Sequence, residues 1–586
     1  MTESGRADAL HLSRLTHRGP DAVGEWRHGS GACWLGHVRL AILELSSAGH
    51  QPMVSANGRF VIVFNGEIYN HLELRRELNS PASGWRGMSD TETLLEAFCQ
   101  WGEGVVERLS GMFAFSIYDT QHGGLFAAVD RFGMKPFYFR KSHGSFQACS
   151  ESRLLARGDN EVSIEALAGY LQWGCLPPGT SMWKDIRMLE PGLWMRVGRD
   201  LKVVTGRYWP QKLSKSGPRE GIKIKQTVKG LVEAAVERHL LSNVPVAAFL
   251  SGGIDSSIVA TVAAKKLGHE LQTFCLSFAD RSLDESKIAQ MVATKAGVTH
   301  NTLLITESEA VAMVPKAVEC MDSPSVDAVN TYLVAAKVRE HGIKVALSGL
   351  GGDELFGGYP SFSDTAALSR LATVPQALRN LLGSLSGKMA RIRDLPGRDV
   401  PTLARWRRSK ITRQEARAAG LPDAAVEPLW GPGLRDSFAE ISWQELFGYA
   451  SPMLLRDSDQ MSMAVSLEIR VPFLDSELVE YVLGLPSSVK QGARPKQLLI
   501  DAFKQDLPVE VWERPKQGFE LPMDAWMRGP LHGFVKDGFN RLLDLRLLNE
   551  EFLQKKFSDF NARRIHWTRL WSLVILGHYL ARNRGF

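Results

Sequence analysis

The sequence predicts an α/β protein in two parts. A layered α/β half with antiparallel sheets covers residues 1–205, and a doubly wound parallel sheet with a helical C-terminal part covers 226–586. Two observations carry this. Up to about residue 205 the chain is rich in short β patterns, and from about Gly230 strand and helix patterns alternate. Beyond about residue 365 the pattern is mostly helical. The polar stretch between, rich in Ser, Gly, Pro and Lys, reads as a linker over 206–225.

In the first half, Arg59–Asn65, Met112–Tyr118 and Leu125–Asp130 are strand-like. Ser89 with Glu92 predicts a capping box ahead of a helix that runs to Trp101. In the second half, Val244–Leu250, Leu271–Phe278 and Ile343–Ser348 read as buried strands. Ile258–Lys266 reads as a helix closed by Gly268. The basic segment from Arg391 to Arg417 reads as a solvated helical surface.

Composition bounds the function classes. The 586 residues are 44% hydrophobic and 23% charged, an ordinary globular balance. A net charge of +6 over this length is weak support for a nucleic-acid partner, and none is expected. No apolar run reaches about 18 residues, so no membrane span is expected, and the N-terminus has no signal-peptide core. Six scattered cysteines form no CxxC pair and read as reduced thiols of a cytoplasmic protein.

The most informative string is Ser251-Gly-Gly-Ile-Asp-Ser-Ser257, between an expected strand and an expected helix. Such a loop aims backbone N–H groups and a helix N-terminus at an anion. Gly252 and Gly253 allow close approach, and Ser251, Ser256 and Ser257 add hydroxyl donors. Asp255 would repel a bare phosphate but fits if Mg²⁺ sits between carboxylate and phosphates. A second loop, Ser348-Gly-Leu-Gly-Gly-Asp353, follows another expected strand and ends in an acid. In a doubly wound sheet ligands bind at the carboxyl ends of strands, so both loops can face one ligand and Asp255 and Asp353 can share a metal.

These strings, with Asp457–Asp475, Arg494-Pro-Lys-Gln-Leu-Leu499 and Arg514–Phe519, resemble the glutamine-dependent asparagine synthetase family over nearly the whole chain. The first half resembles its class II glutamine amidotransferase domain, through His17-Arg-Gly-Pro-Asp21, His37–Ile42 and Asn65-Gly-Glu-Ile-Tyr-Asn70. The resemblance implies an Ntn-type αββα fold for that half and an ATP-pyrophosphatase fold for the second. It implies that a carboxylate attacks the α-phosphorus of ATP to give an acyl-adenylate and pyrophosphate, and that ammonia then displaces AMP. Lys496 would contact pyrophosphate, Asp255 and Asp353 would hold Mg²⁺, and Leu250 and Leu276 would touch adenosine through backbone, with Ser348 and Gly349 nearby. Arg39 would bind the glutamine α-carboxylate, Asn65 and Gly66 the oxyanion, and Asp90 the amino group, with Glu67 in the same strand. Family members are often dimers.

Two departures stand out. The family begins Met-Cys-Gly-Ile, its cysteine serving as nucleophile, whereas this chain begins Met1-Thr-Glu-Ser-Gly-Arg and has no cysteine before Cys33. Three readings are open: a true start farther upstream, use of free or partner-supplied ammonia, and Thr2 as nucleophile after removal of Met1. Leu350 stands where asparagine-making members carry an acid, and leucine cannot act as a base. Glu354 and Asp327 are the candidate replacements. The leading expectation is asparagine formation from aspartate. The rivals are amidation of another acid, such as a polysaccharide uronate or a specialised metabolite, and a non-catalytic ATP- or glutamine-binding paralogue. Asp255, Asp353 and Lys496 weigh against the last.

Overall fold

The structure is a computed structural model. It describes residues 1–2, 11–81, 84–157, 160–210, 221–278, 286–385, 390–422, 429, 431, 433–434, 436–514 and 521–583. In the first half, β1 (Ala22–Arg27) and β2 (Trp34–Arg39) form an antiparallel hairpin. Next come β3 (Met53–Val54), β4 (Phe60–Ile68), β5 (Gly111–Asp119) and β6 (Leu125–Val129). A small sheet of β7 (Tyr138–Ser142), β8 (Ser145–Cys149) and β9 (Ile186–Met188) precedes β10 (Leu193–Val197) and β11 (Val203–Arg207). The main sheet is antiparallel, in the order β11-β10-β6-β5-β4-β3. Helix α1 (Asp90–Trp101) packs on β4, burying Leu94, Leu95 and Phe98. Ser89 caps it by accepting from the Glu92 N–H at 3.1 Å, but the expected box is only half made. The Glu92 carboxylate turns to the backbone N–H groups of Arg86 and Gly87 instead.

The second half opens with α2 (Gly221–His239) and a parallel sheet. Its strands are β12 (Val246–Phe249), β13 (Gln272–Phe278), β14 (Thr299–Ile305), β15 (Val345–Leu347) and β16 (Glu468–Arg470), in the order β14-β13-β12-β15-β16. From β12 the chain winds out to β14, then returns to β15 on the other side. That reversal puts the topological switch between β12 and β15, so the loops after those two strands are neighbours. Helix α3 (Ile254–Leu267) follows β12, and α4 (Gly352–Phe356) follows β15. The region beyond residue 365 is helical except for β16, a three-residue strand that the sequence pattern did not reveal.

Three further expectations change. Helix α3 starts at Ile254, not Ile258, because Gly253 adopts the extended N-cap conformation, so Asp255, Ser256 and Ser257 lie on its first turn. The expected linker is partly structured: 206–207 end β11, α2 begins at Gly221, and 211–220 lie outside the described residues. The basic segment is a solvated face only in part: Arg393, Arg398, Arg413 and Arg417 are exposed, but others turn inward. Arg405 is buried with its guanidinium over Trp173, and Arg408 pairs with Glu445 at 2.6 Å. These cations have aromatic and carboxylate partners, which offset their desolvation.

An aromatic chain joins the halves. Phe132 lies 5.3 Å from Trp209, which is 5.9 Å from Trp443 (ring centroids). Among the described residues no helix is long and apolar enough to cross a membrane.

Candidate functional sites

At the switch point, Gly349 approaches the first loop so closely that a Cβ there would lie 2.7 Å from the Ser256 nitrogen. A Cβ on Gly352 would lie 2.5 Å from the Asp255 carboxyl carbon. Larger residues would push the two acids apart. Lys496, buried and at the start of the helix Gln497–Phe503, joins them. Its ammonium donates to Asp255 Oδ2 and lies 2.5 Å from Asp353 Oδ1. Burial alone would depress the lysine pKa, but the two carboxylates outweigh it and hold the ammonium well above its ordinary range. Lys496 has a left-handed φ of 59°, a conformation that non-glycine residues adopt at some cost and that clusters at functional sites.

Other expected residues are placed as follows. Ser251 Oγ and Ser256 Oγ are 3.1 Å apart, and Ser256 Oγ also donates to the Gly253 carbonyl. Ser257 is fully buried beneath the loop. Leu250 is buried at the end of β12, its N–H donating to Phe274 O at 2.8 Å, and Leu276 lies within β13. The Ser348 N–H donates to Arg470 O at 2.8 Å. Arg514, to which the sequence attached no role, donates to the Gly252 carbonyl at 3.1 Å. Residues 515–519 of that segment lie outside the described residues.

The residues present fit a magnesium–phosphate group. Among the described residues no cluster of three or more His, Cys, Asp or Glu side chains could hold a metal. Magnesium bound with substrate phosphates needs only one or two carboxylates, and Asp255 and Asp353 converge on one point beside a glycine-lined cradle.

In the first half, Arg39, Asn65, Gly66, Glu67 and Asp90 line one cavity of about 130 Å³. Asn65 Nδ2 is buried and, among the described residues, has no hydrogen-bond acceptor. Arg39 is held by the carbonyls of Leu43, Glu44 and Ser46. Asp90 accepts from the N–H groups of Ile68 (2.9 Å) and Thr91 (2.8 Å), and burial pushes its pKa up to about 6. Burial and the neighbouring Asp90 charge raise Glu67 well above the carboxylate range, against the pull of Arg470. Cys33 and Thr2 line an adjoining cavity that Asn65 also reaches. Burial pushes the Cys33 thiol up to about 11, so it is not a thiolate at neutral pH.

A link between the two sites was invisible in sequence. Arg470 on β16 is completely buried, pairs with Glu67 at 2.8 Å and with Glu468 at 2.9 Å, and donates to the carbonyls of His239 and Leu241. Two more buried pairs cross the halves: Arg18 with Asp459 at 2.7 Å and Lys135 with Asp459 at 3.2 Å.

Fold and sites together define an enzyme class: an amidotransferase half joined to a half that carries two nucleotide-type loops on a doubly wound sheet. The comparisons make this specific. A glutamine amidotransferase domain model matches residues 3–209, and an asparagine synthase model matches 227–581. The putative asparagine synthetase (glutamine-hydrolyzing) of Mycobacterium tuberculosis strain H37Rv is 32% identical, over 90% of this chain and 85% of its own length. Asparagine synthetase (glutamine-hydrolyzing) 1 of Bacillus subtilis is 29% identical, over 96% and 91%. Amidase chyE of Penicillium rubens is 30% identical, over 94% and 88%. The chain belongs to the asparagine synthase family and is a ligase-type enzyme of that family.

Proposed function

We propose that this enzyme activates a carboxylic acid with ATP and amidates it with ammonia, either drawn from glutamine or taken up free. The supporting observation is the convergence of Asp255, Asp353 and Lys496 where the loops after β12 and β15 meet. The acid's oxygen attacks the α-phosphorus, and the bond to the β-phosphate oxygen breaks. Lys496 and the loop N–H groups stabilise the charge on departing pyrophosphate. A Mg²⁺ held by Asp255 and Asp353 supplies further charge neutralisation when bound. Ammonia then attacks the acyl carbon, AMP leaves, and a base removes a proton from nitrogen. Glu354 suits that last task. Burial, with the Asp353 charge, pushes it up to about 7, where a general base works best near neutral pH, and it accepts from Tyr359 Oη at 2.7 Å. Asp327 is the second candidate.

In the first half, Arg39 and Asp90 hold the two ends of glutamine's α-amino acid group, and Asn65 Nδ2 with the Gly66 N–H receives the oxyanion. Aspartate is the acceptor suggested by the names of the bacterial relatives. A second reading, an acid other than aspartate, is favoured by Leu350, whose side chain packs against the apolar core and offers no carboxylate.

The test follows pyrophosphate and glutamate release separately. Asp255→Ala should abolish pyrophosphate formation, whereas Arg39→Ala should leave ammonia-driven synthesis intact. Equal loss of ammonia-driven synthesis in both variants contradicts the two-site reading.

A further inference from the structure

A cavity of about 370 Å³ opens beside the second loop. Its wall includes Tyr359, whose hydroxyl holds Glu354, one residue beyond Asp353. The Gly358 N–H donates to Asp353 O at 2.8 Å, so this wall is continuous with the activation site. The volume falls within the range of about 300–1,000 Å³ typical of sites for drug-sized ligands. The lining is aromatic, with Trp173, Tyr449, Trp567 and Trp571 around it. Aspartate has no ring or apolar body to cover such a surface.

Three cations reach this wall, and two are neutralised. Arg407 pairs with Asp364 at 2.5 Å. Arg408 pairs with Glu445 and stacks on the rings of Tyr449 and Tyr359, 3.7 and 4.4 Å from their centroids. Lys410 differs. Its N–H is fixed on Gln172 O at 2.7 Å and its stem lies against Gly174, yet among the described residues no carboxylate comes within ion-pair distance of its ammonium. Burial, only partly offset by the Asp327 charge, holds its pKa below the ordinary lysine value, the signature of an under-compensated cation. A half-buried cation of this kind, without a carboxylate partner among the described residues, is costly unless an anion completes it.

We propose that this cavity receives the acid to be amidated, and that the acid carries a ring or comparable apolar body and a second anionic group that rests on Lys410. The first carboxylate is then presented to the loops, while the body lies among the tryptophans. This rests on the ligase reading above.

The experiment uses the full chain with ATP, Mg²⁺ and ammonium chloride and measures pyrophosphate release. The acids are aspartate, galactarate, 1,4-phenylenediacetate and the monomethyl ester of the last. The ring diacid should exceed both aspartate and the open-chain, hydroxylated galactarate in kcat/KM. Removing the second charge as the monoester should cost about tenfold or more, chiefly in KM, as expected for a lost charge-assisted hydrogen bond. Lys410→Gln should erase the gap between diacid and monoester, and Lys410→Arg should keep most of it. The KM for ATP should stay unchanged in both variants. If Lys410→Gln does not fold, the diacid–monoester comparison in the unaltered protein decides. Aspartate as the best acid, or a gap that survives Lys410→Gln, overturns the proposal while leaving the ligase reading standing. No pyrophosphate with any acid overturns the ligase reading and the proposal with it.

Discussion

Replacing Lys496 with methionine removes an ammonium that sits between Asp255 and Asp353. The side chain is only 6% exposed, so water cannot take its place. Taking an effective dielectric of about 20, unit charges 2.5 Å apart, the Lys496–Asp353 separation, attract by about 6–7 kcal/mol before desolvation is counted. Removing one member of a buried pair costs about 3–5 kcal/mol net. The loss falls where pyrophosphate develops charge, so the turnover number should drop by about 10²–10³, as when an oxyanion donor is removed. The assay is pyrophosphate release with saturating ATP, Mg²⁺, acid and ammonia. Because the ammonium's pKa is held above its ordinary value, it stays protonated up to and beyond about pH 10.5, so the deficit should be flat between pH 6 and 9. The variant's melting temperature should also rise more with added Mg²⁺ than that of the parent, since two carboxylates that have lost their Lys496 contact then face the ion. Glutamine affinity should not change, which also shows that the variant is folded. A folded variant within threefold of the parent rate refutes the reasoning.

Gly352→Ala should raise the Mg²⁺ concentration needed for half-maximal pyrophosphate release, because its Cβ would lie 2.5 Å from the Asp255 carboxyl carbon; glutamine binding reports whether the fold is kept. Arg470→Leu leaves Glu67 and Glu468 buried without their cation and should lower stability by about 3–5 kcal/mol, read by urea denaturation, with partial recovery in Arg470→Lys. Asp90 has its pKa pushed up to about 6, so it is charged above that pH and neutral below it. Glutamine affinity, measured by calorimetry, should therefore weaken by up to about tenfold per unit below pH 6, and Asp90→Asn should flatten the profile.

Much of the activation site was legible in the sequence because its parts are short-range. An apolar strand, a glycine and serine loop and an acid at a helix start lie within a dozen residues of one another, and the pattern repeats after β15. What failed was of three kinds. The start of α3 was set too late because an acid and two serines read as loop, while Gly253 as N-cap allows them to be helical. The three-residue strand β16 carries charged residues at both ends, and besides their pairing with each other it takes contacts more than 200 residues distant to hold those charges inside the protein. Within the 391–417 segment Arg405 and Arg408 look solvated by type, but Trp173, Tyr359, Tyr449 and Glu445 take these two inward. Arg514 stood in a string that carried the family resemblance, but nothing local pointed to its bond with the Gly252 carbonyl.

Arg470 bears on whether the two halves are interchangeable parts. Its guanidinium is sealed against Glu67 beside Asn65 and Gly66, while its carbonyl receives the Ser348 N–H that begins the second phosphate loop. Cutting the chain between the halves would open that seam, leaving Glu67 without its arginine and Arg470 with Glu468 as its remaining carboxylate partner. An excised C-terminal half would therefore lack one of the two carboxylates that hold Arg470 in the whole chain. Anyone grafting a different nitrogen-supplying half onto this scaffold would have to supply a carboxylate in the place of Glu67.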